Sequence, residues 1–204
     1  SVGTIGGRCT TGQHVNALDH TTYFGAVFRA LWEHGGGTWS GRVRESAVPH
    51  GARLVASRES RTLAEVIRDI NKFSNNVMAR QVFLTVGADA TGLPGNAMRA
   101  AQAIRGFLAA RGQAMPELVL ENGSGLSRSE RIAPRTMARL IEATLRGPWA
   151  PELLMSLPLA GVDGTMRRRL KGTRAEGWAR LKTGTLRNVV ALAGTVRDTR
   201  GDDW

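Results

Sequence analysis

Apolar residues recur at helical spacing in five stretches of the chain. Within residues 20–34, Tyr23, Phe24, Val27, Phe28, Leu31 and Trp32 share one face and Gly35, Gly36 and Gly37 end the pattern, which predicts an amphipathic helix packed on a neighbour. A second helix can be capped by Ser60 or Thr62 and carries Leu63, Val66, Ile67 and Ile70 on one face as far as Phe73. Ser74, Asn75 and Asn76 interrupt it as a polar corner. A third helix then holds Val77, Met78, Val82, Phe83 and Val86 and stops at Gly87. Residues 96–110 form an alanine-rich helix with Met98, Ala101, Ile104 and Leu108 inward and Gly112 as its stop. Pro134 suits the first turn of a fifth helix, whose apolar face is Met137, Leu140, Ile141 and Leu145.

Strand patterns are shorter. Residues 39–44 and 53–56 read as strands around a turn at Pro49 and Gly51, the tail of a smaller domain. Residues 118–120 form one short strand, and a loop of Asn122, Gly123, Ser124 and Gly125 follows. Residues 178–182 and 189–197 predict adjacent antiparallel strands, after which residues 198–203 carry turn chemistry toward a third strand at Trp204. An open edge beside a buried strand is costly, which predicts that the natural protein continues beyond Trp204.

With 204 residues, 42% of them hydrophobic, the chain can bury a substantial core. No apolar run approaches the roughly 18 uncharged residues of a bilayer span, so it reads as soluble, without a transmembrane segment. The net charge of +11 comes mostly from arginines dispersed along the chain, apart from the run Arg167, Arg168, Arg169. That dispersal speaks against nucleic acid as the partner; a basic surface also suits anionic lipid or the acidic polymers of a cell envelope. Cys9 is the only cysteine, which excludes an internal disulfide and a multi-cysteine metal site and leaves an incidental or buried thiol. His14, His20, His34 and His50 lack ligand spacing, so no metal is expected. Residues 1–7 show no signal-peptide pattern.

Candidate chemistry sits in two short motifs. Ser74-Asn75-Asn76 lies between two helices and Lys182-Thr183-Gly184 ends a strand, the contexts that a serine acyl-transferase requires. Either alone reads as a cap or a turn; both together, in this order and on these elements, point to chemistry. Asp163 before Gly164 reads as a turn or helix cap rather than a catalytic carboxylate. Asn122-Gly123-Ser124 satisfies the glycosylation triplet but reads as a loop beside the site.

Four blocks in order carry a closer likeness: residues 70–79, Asn122-Gly123-Ser124-Gly125-Leu126-Ser127, residues 157–165 (LPLAGVDGT) and Lys182-Thr183-Gly184. Over nearly its whole length the chain resembles the D-Ala-D-Ala carboxypeptidases of the peptidase S13, penicillin-binding protein 4 type. The resemblance implies an α+β penicillin-binding, serine β-lactamase-like transpeptidase fold, an antiparallel sheet flanked by helices. On this expectation residues 1–56 are the end of an inserted accessory domain and the return to the main domain, and residues 57–204 are a penicillin-binding domain truncated at both ends.

The same resemblance implies a serine-type D-Ala-D-Ala carboxypeptidase, with endopeptidase activity as a further option, that cleaves peptidoglycan stem peptides through an acyl-enzyme, is a β-lactam target, works in the periplasm or cell envelope and needs no cofactor. Ser74 would relay a proton to the leaving amine and Asn76 would hold the substrate amide. Lys182 and Thr183 would bind the terminal carboxylate, Gly184 would let backbone approach, and the Thr185 N–H would be half of the oxyanion hole. Asn75 stands where the family commonly has aspartate. The family's Ser-x-x-Lys motif is missing: the lysines are Lys72, Lys171 and Lys182, and none has serine three residues before it. The chain alone is therefore expected to be inactive. A non-catalytic module of the same fold that holds peptidoglycan peptides is the alternative.

Overall fold

The computed structural model describes residues 18–198 and 200–202; Cys9, His14 and the strand expected at Trp204 lie outside the described residues. The chain divides into two compact units, Ser1–Arg58 and Glu59–Trp204.

In the first unit, helix α1 (His20–His34) starts where the Asp19 side chain accepts from the Thr22 N–H and ends at Gly35. Its aromatic stripe does not close into a core. Tyr23, Phe24 and Leu31 are largely exposed, and the buried position is Gly25, pressed against Val43. Phe28 instead stacks with Phe24 and Trp32 and meets Trp39 edge-on. Residues 39–44 and 53–56, expected as strands, form none. The stretch after α1 is tied to the helix by side-chain bonds, Arg29 to the Trp39 carbonyl and the Trp32 indole to that of Thr38, so alternation without a partner strand produced no ladder. The turn at Pro49 is present, with Gly51 at φ +83°.

The second unit opens with helix α2 (Leu63–Phe73). Thr62, not Ser60, caps it, and Glu65 reaches back to complete a capping box. Helix α3 (Asn76–Thr91), α4 (Ala97–Ala110), α5 (Pro134–Leu145) and the short α6 (Ala150–Ser156), which no periodicity announced, precede a single 3-10 turn at Gly164–Met166. Helix α3 runs through Gly87, the expected stop. That glycine is buried where α4 crosses, and a Cβ there would lie 2.6 Å from the Ala100 nitrogen. It serves close approach, and the helix ends at Gly92 in the left-handed region. Met98, expected inward, is exposed; Ala100, Ala101 and Leu108 are the inward positions of α4.

Three small clusters make the core: Phe83 with Ala100 and Ala101, Leu108 with Met115 and Leu118, and Ala160 with Met166, Ala179 and Leu181. The expected strand at 118–120 is reduced to one antiparallel bridge, Val119 to Arg131. Strands β1 (Arg180–Leu186) and β2 (Val189–Thr195) pair antiparallel, with Leu186 opposite Val189. Lys182-Thr183-Gly184 therefore lies within β1 rather than at its end. The reversal falls on Arg187 and Asn188, whose φ of +68° asparagine tolerates, while Gly184 keeps strand geometry. Among the described residues no helix is long and apolar enough to cross a membrane.

Candidate active site

Helix α2 ends at Ser74 in the left-handed conformation, φ 55° and ψ 48°. For a residue with a Cβ this costs about 1–2 kcal/mol. Both neighbouring helix ends hold it there: the Asn75 N–H donates to the Ile70 carbonyl, and the Asn75 side chain accepts from the Met78 N–H to cap α3. Aspartate at this position would cap α3 as well as asparagine does.

In that conformation the Ser74 Oγ accepts a hydrogen bond of 2.9 Å from the Lys182 ammonium, which also donates to the Thr183 carbonyl at 2.6 Å. Alternation along β1 produces this: Leu181 points into the cluster of Ala160 and Met166, so Lys182 emerges on the opposite face. Burial pushes the Lys182 ammonium below its ordinary value of 10.5. The Thr183 hydroxyl donates to that of Thr165 at 2.9 Å.

Asn76, the first residue of α3, donates through Nδ2 to the Ser124 carbonyl at 2.6 Å, and its Oδ1 accepts from none of the described residues. The loop it holds is internally built. Asn122 Oδ1 accepts from the Ser124 N–H and hydroxyl, and Glu130 Oε1 accepts from the N–H groups of Glu121, Asn122 and Gly123. Gly123, at φ +69°, sits where a Cβ would be 2.4 Å from the Phe83 side chain. Gly184 and Thr185 are exposed and, with Gly125, Leu120, Phe107 and Leu140, line a mostly apolar cavity of about 930 Å³. A Cβ at Gly184 would make only ordinary contact, 3.5 Å from that of Ala191, so the hairpin does not itself demand glycine.

Two groups escaped the sequence reading. Lys72, nearly buried, pairs with Asp163 at 2.6 Å, and the other Asp163 oxygen accepts from the Leu159 N–H at 2.8 Å. Asp163 occupies the N-cap position of the 3-10 turn but makes no side-chain cap there. Gly164, at φ +52°, lies so close to α2 that a Cβ would be 2.5 Å from the Lys72 carbonyl oxygen. The segment leading to Thr165 is thus clamped to the last turn of α2. The available signal was one lysine and one aspartate in two separate family-like blocks; periodicity cannot connect them. Glu130 is the second, and its contacts with backbone leave no pattern in side-chain types. Among the described residues no three His, Cys, Asp or Glu side chains gather where a metal could bind.

The model of the D-Ala-D-Ala carboxypeptidase 3 (S13) family matches residues 3–204. A D-alanyl-D-alanine carboxypeptidase of Actinomadura sp. (strain R39) is 34% identical over 186 residues, 87% of this chain and 34% of its own length. The D-alanyl-D-alanine carboxypeptidase DacB of Haemophilus influenzae is 30% identical over 172 residues, 80% of this chain and 35% of its own. Penicillin-binding protein 4 of H. influenzae superposes with a TM-score of 0.82 at 28% identity, over 91% of this chain and 42% of that one, and has also been solved in complex with a β-lactam. The fold is accordingly the mixed helix and antiparallel-sheet fold of penicillin-binding proteins. The chain spans about a third of the length of the curated relatives it matches.

Proposed function

Because the chain belongs to the D-Ala-D-Ala carboxypeptidase 3 (S13) family, we propose that it forms the proton-relay and carboxylate-binding side of a serine-type D-Ala-D-Ala carboxypeptidase and endopeptidase. The enzyme acts on peptidoglycan stem peptides in the periplasm or cell envelope and is a β-lactam target. The observation that carries this reading is the 2.9 Å contact between Ser74 and Lys182, residues far apart in sequence and each in a family-like block.

The nucleophilic serine and its general-base lysine come from a Ser-x-x-Lys segment outside this chain, as the family resemblance implies. The serine proton passes to that lysine as the oxygen attacks the carbonyl carbon of the D-alanyl bond. Thr185 offers its backbone N–H to the developing oxyanion. As the C–N bond breaks, Ser74 donates its hydroxyl proton to the leaving amine and is reprotonated from the lysine side; its acceptor lone pair already rests on Lys182. Asn76, with Nδ2 engaged by the loop, presents Oδ1 to a substrate N–H. Lys182 and Thr183 hold the terminal carboxylate, the Thr183 O–H turning from Thr165 to reach it. Water then resolves the ester, releasing the shortened peptide and restoring the serine.

The test is labelling by a fluorescent penicillin. The intact protein is expected to become labelled, this chain by itself is not, and Lys182→Ala in the intact protein is expected to slow labelling at least about a hundredfold, the loss typical of one preorganised electrostatic group. An intact protein that binds peptidoglycan peptides but never labels would be the non-catalytic module.

A further inference from the structure

The geometry points to a second anion subsite next to the Ser74–Lys182 cleft, one that takes a carboxylate of the leaving strand of a cross-linked peptide. A cavity of about 470 Å³ is lined by Phe73, Gly164, Thr165, Arg167 and Arg168. It adjoins the site on two sides, since Phe73 precedes Ser74 and the Thr165 hydroxyl accepts a hydrogen bond from Thr183. This inference rests on the function proposed above.

The polar lining consists of donors. Thr165 accepts from Thr183, which leaves its own O–H free to donate. Neither Arg167 nor Arg168 has a carboxylate partner among the described residues. Asp163, the carboxylate adjoining this segment, is occupied on both oxygens by Lys72 and the Leu159 N–H. Two unpaired guanidiniums and a free hydroxyl suit a carboxylate, with the exposed Phe73 ring as an apolar wall. The floor is fixed because Gly164 is packed on the Lys72 carbonyl.

A single departing D-alanine has one carboxylate, which Lys182 and Thr183 take. A leaving group that is itself a peptide carries at least one more, and the cavity of Arg167 and Arg168, joined to Thr183 through Thr165, offers its partners. The subsite therefore favours cross-linked substrate, the endopeptidase reaction, over simple carboxypeptidase cleavage.

The experiment compares three reagents on the intact protein: benzylpenicillin acylation, a monomeric pentapeptide ending in D-Ala-D-Ala, and a peptide dimer cross-linked through a D-alanyl bond. The double variant Arg167→Gln, Arg168→Gln is expected to raise KM for the dimer about tenfold, the effect of two partly exposed charge contacts. Acylation and pentapeptide cleavage should stay within about twofold. The double replacement by lysine should recover most of the dimer affinity, and added salt should weaken the wild-type preference. Equal KM for the dimer in wild type and glutamine variant overturns the subsite, as does an equal loss on all three reagents. A wild-type protein that penicillin does not acylate overturns the catalytic reading on which the subsite depends.

Discussion

Replacing Asp163 tests whether the clamp between α2 and the 3-10 turn positions Ser74. Lys72 retains 12% of its side-chain exposure and Asp163 42%, so the pair lies between two regimes. Exposed pairs contribute about 0–1 kcal/mol, and breaking a fully buried one costs about 3–5 kcal/mol. Asp163→Asn keeps an acceptor for the Leu159 N–H and loses the charge, for an expected cost of about 2 kcal/mol. Asp163→Ala also strands that N–H, adding about 1 kcal/mol. Urea unfolding of the intact protein, in a double-mutant cycle with Lys72→Met, should return a coupling energy of about 1–2 kcal/mol. Loss of the clamp frees the segment that carries Thr165 from the turn that carries Ser74, so penicillin acylation of Asp163→Asn should slow about tenfold under conditions where the protein remains folded. A coupling energy below about 0.3 kcal/mol would refute the clamp, since that is the noise of independent sites. Unaltered acylation despite lost stability would reduce the pair to a stability device.

Three further outcomes follow from the geometry. Lys182 has a folded-state value lowered by burial, so the folded form sheds its proton first as pH rises toward 10.5; stability should increase over that window while capture of an anionic β-lactam decreases, both read against Lys182→Met. Gly87→Leu should destabilise by about 3 kcal/mol or more in thermal unfolding, because even a Cβ there meets the Ala100 backbone at 2.6 Å; a shift under about 1 kcal/mol would show that α3 and α4 can separate. Glu130→Gln keeps an acceptor but removes the charge that draws three backbone N–H groups together, and should raise KM for peptide with little change in kcat, because the loop positions Asn76 and not the proton relay.

Helices α2 to α5 could be read from sequence because their apolar faces recur every three to four residues and Thr62, Asn96 and Pro134 mark three of their starts, whereas the seven residues of α6 are too few to show a period. Gly87 misled because glycine serves both as helix stop and as contact point, and only the crossing partner decides which. The triplet at Lys182 was found as a motif but placed at a strand end, since its glycine looked like turn chemistry while the actual reversal used Asn188. In the first unit, charged and apolar residues alternated over 39–44 with no strand to pair them, and pattern alone cannot supply a partner. The Ser74–Lys182 juxtaposition was expected through family likeness, whereas Lys72 with Asp163 and Glu130 with its loop were not, because long-range ion pairs and side-chain-to-backbone bonds carry no period.

Ser74 shows why those unseen contacts matter for the chemistry. A serine in the left-handed region is unfavourable by itself, and the strain persists only where the surroundings fix the residues on both sides. Here Lys72 is held by Asp163 on the helix side and Asn75 is committed to capping α3 on the other, so the single residue between the two helices has no softer place to relax. Relaxing Ser74 would require breaking a partly buried ion pair or uncapping a sixteen-residue helix, either of which costs about as much as the strain it would relieve. The side-chain oxygen consequently meets Lys182 before any substrate arrives, and on the proposed function a relay prepared in this way needs no reorganisation as the C–N bond breaks.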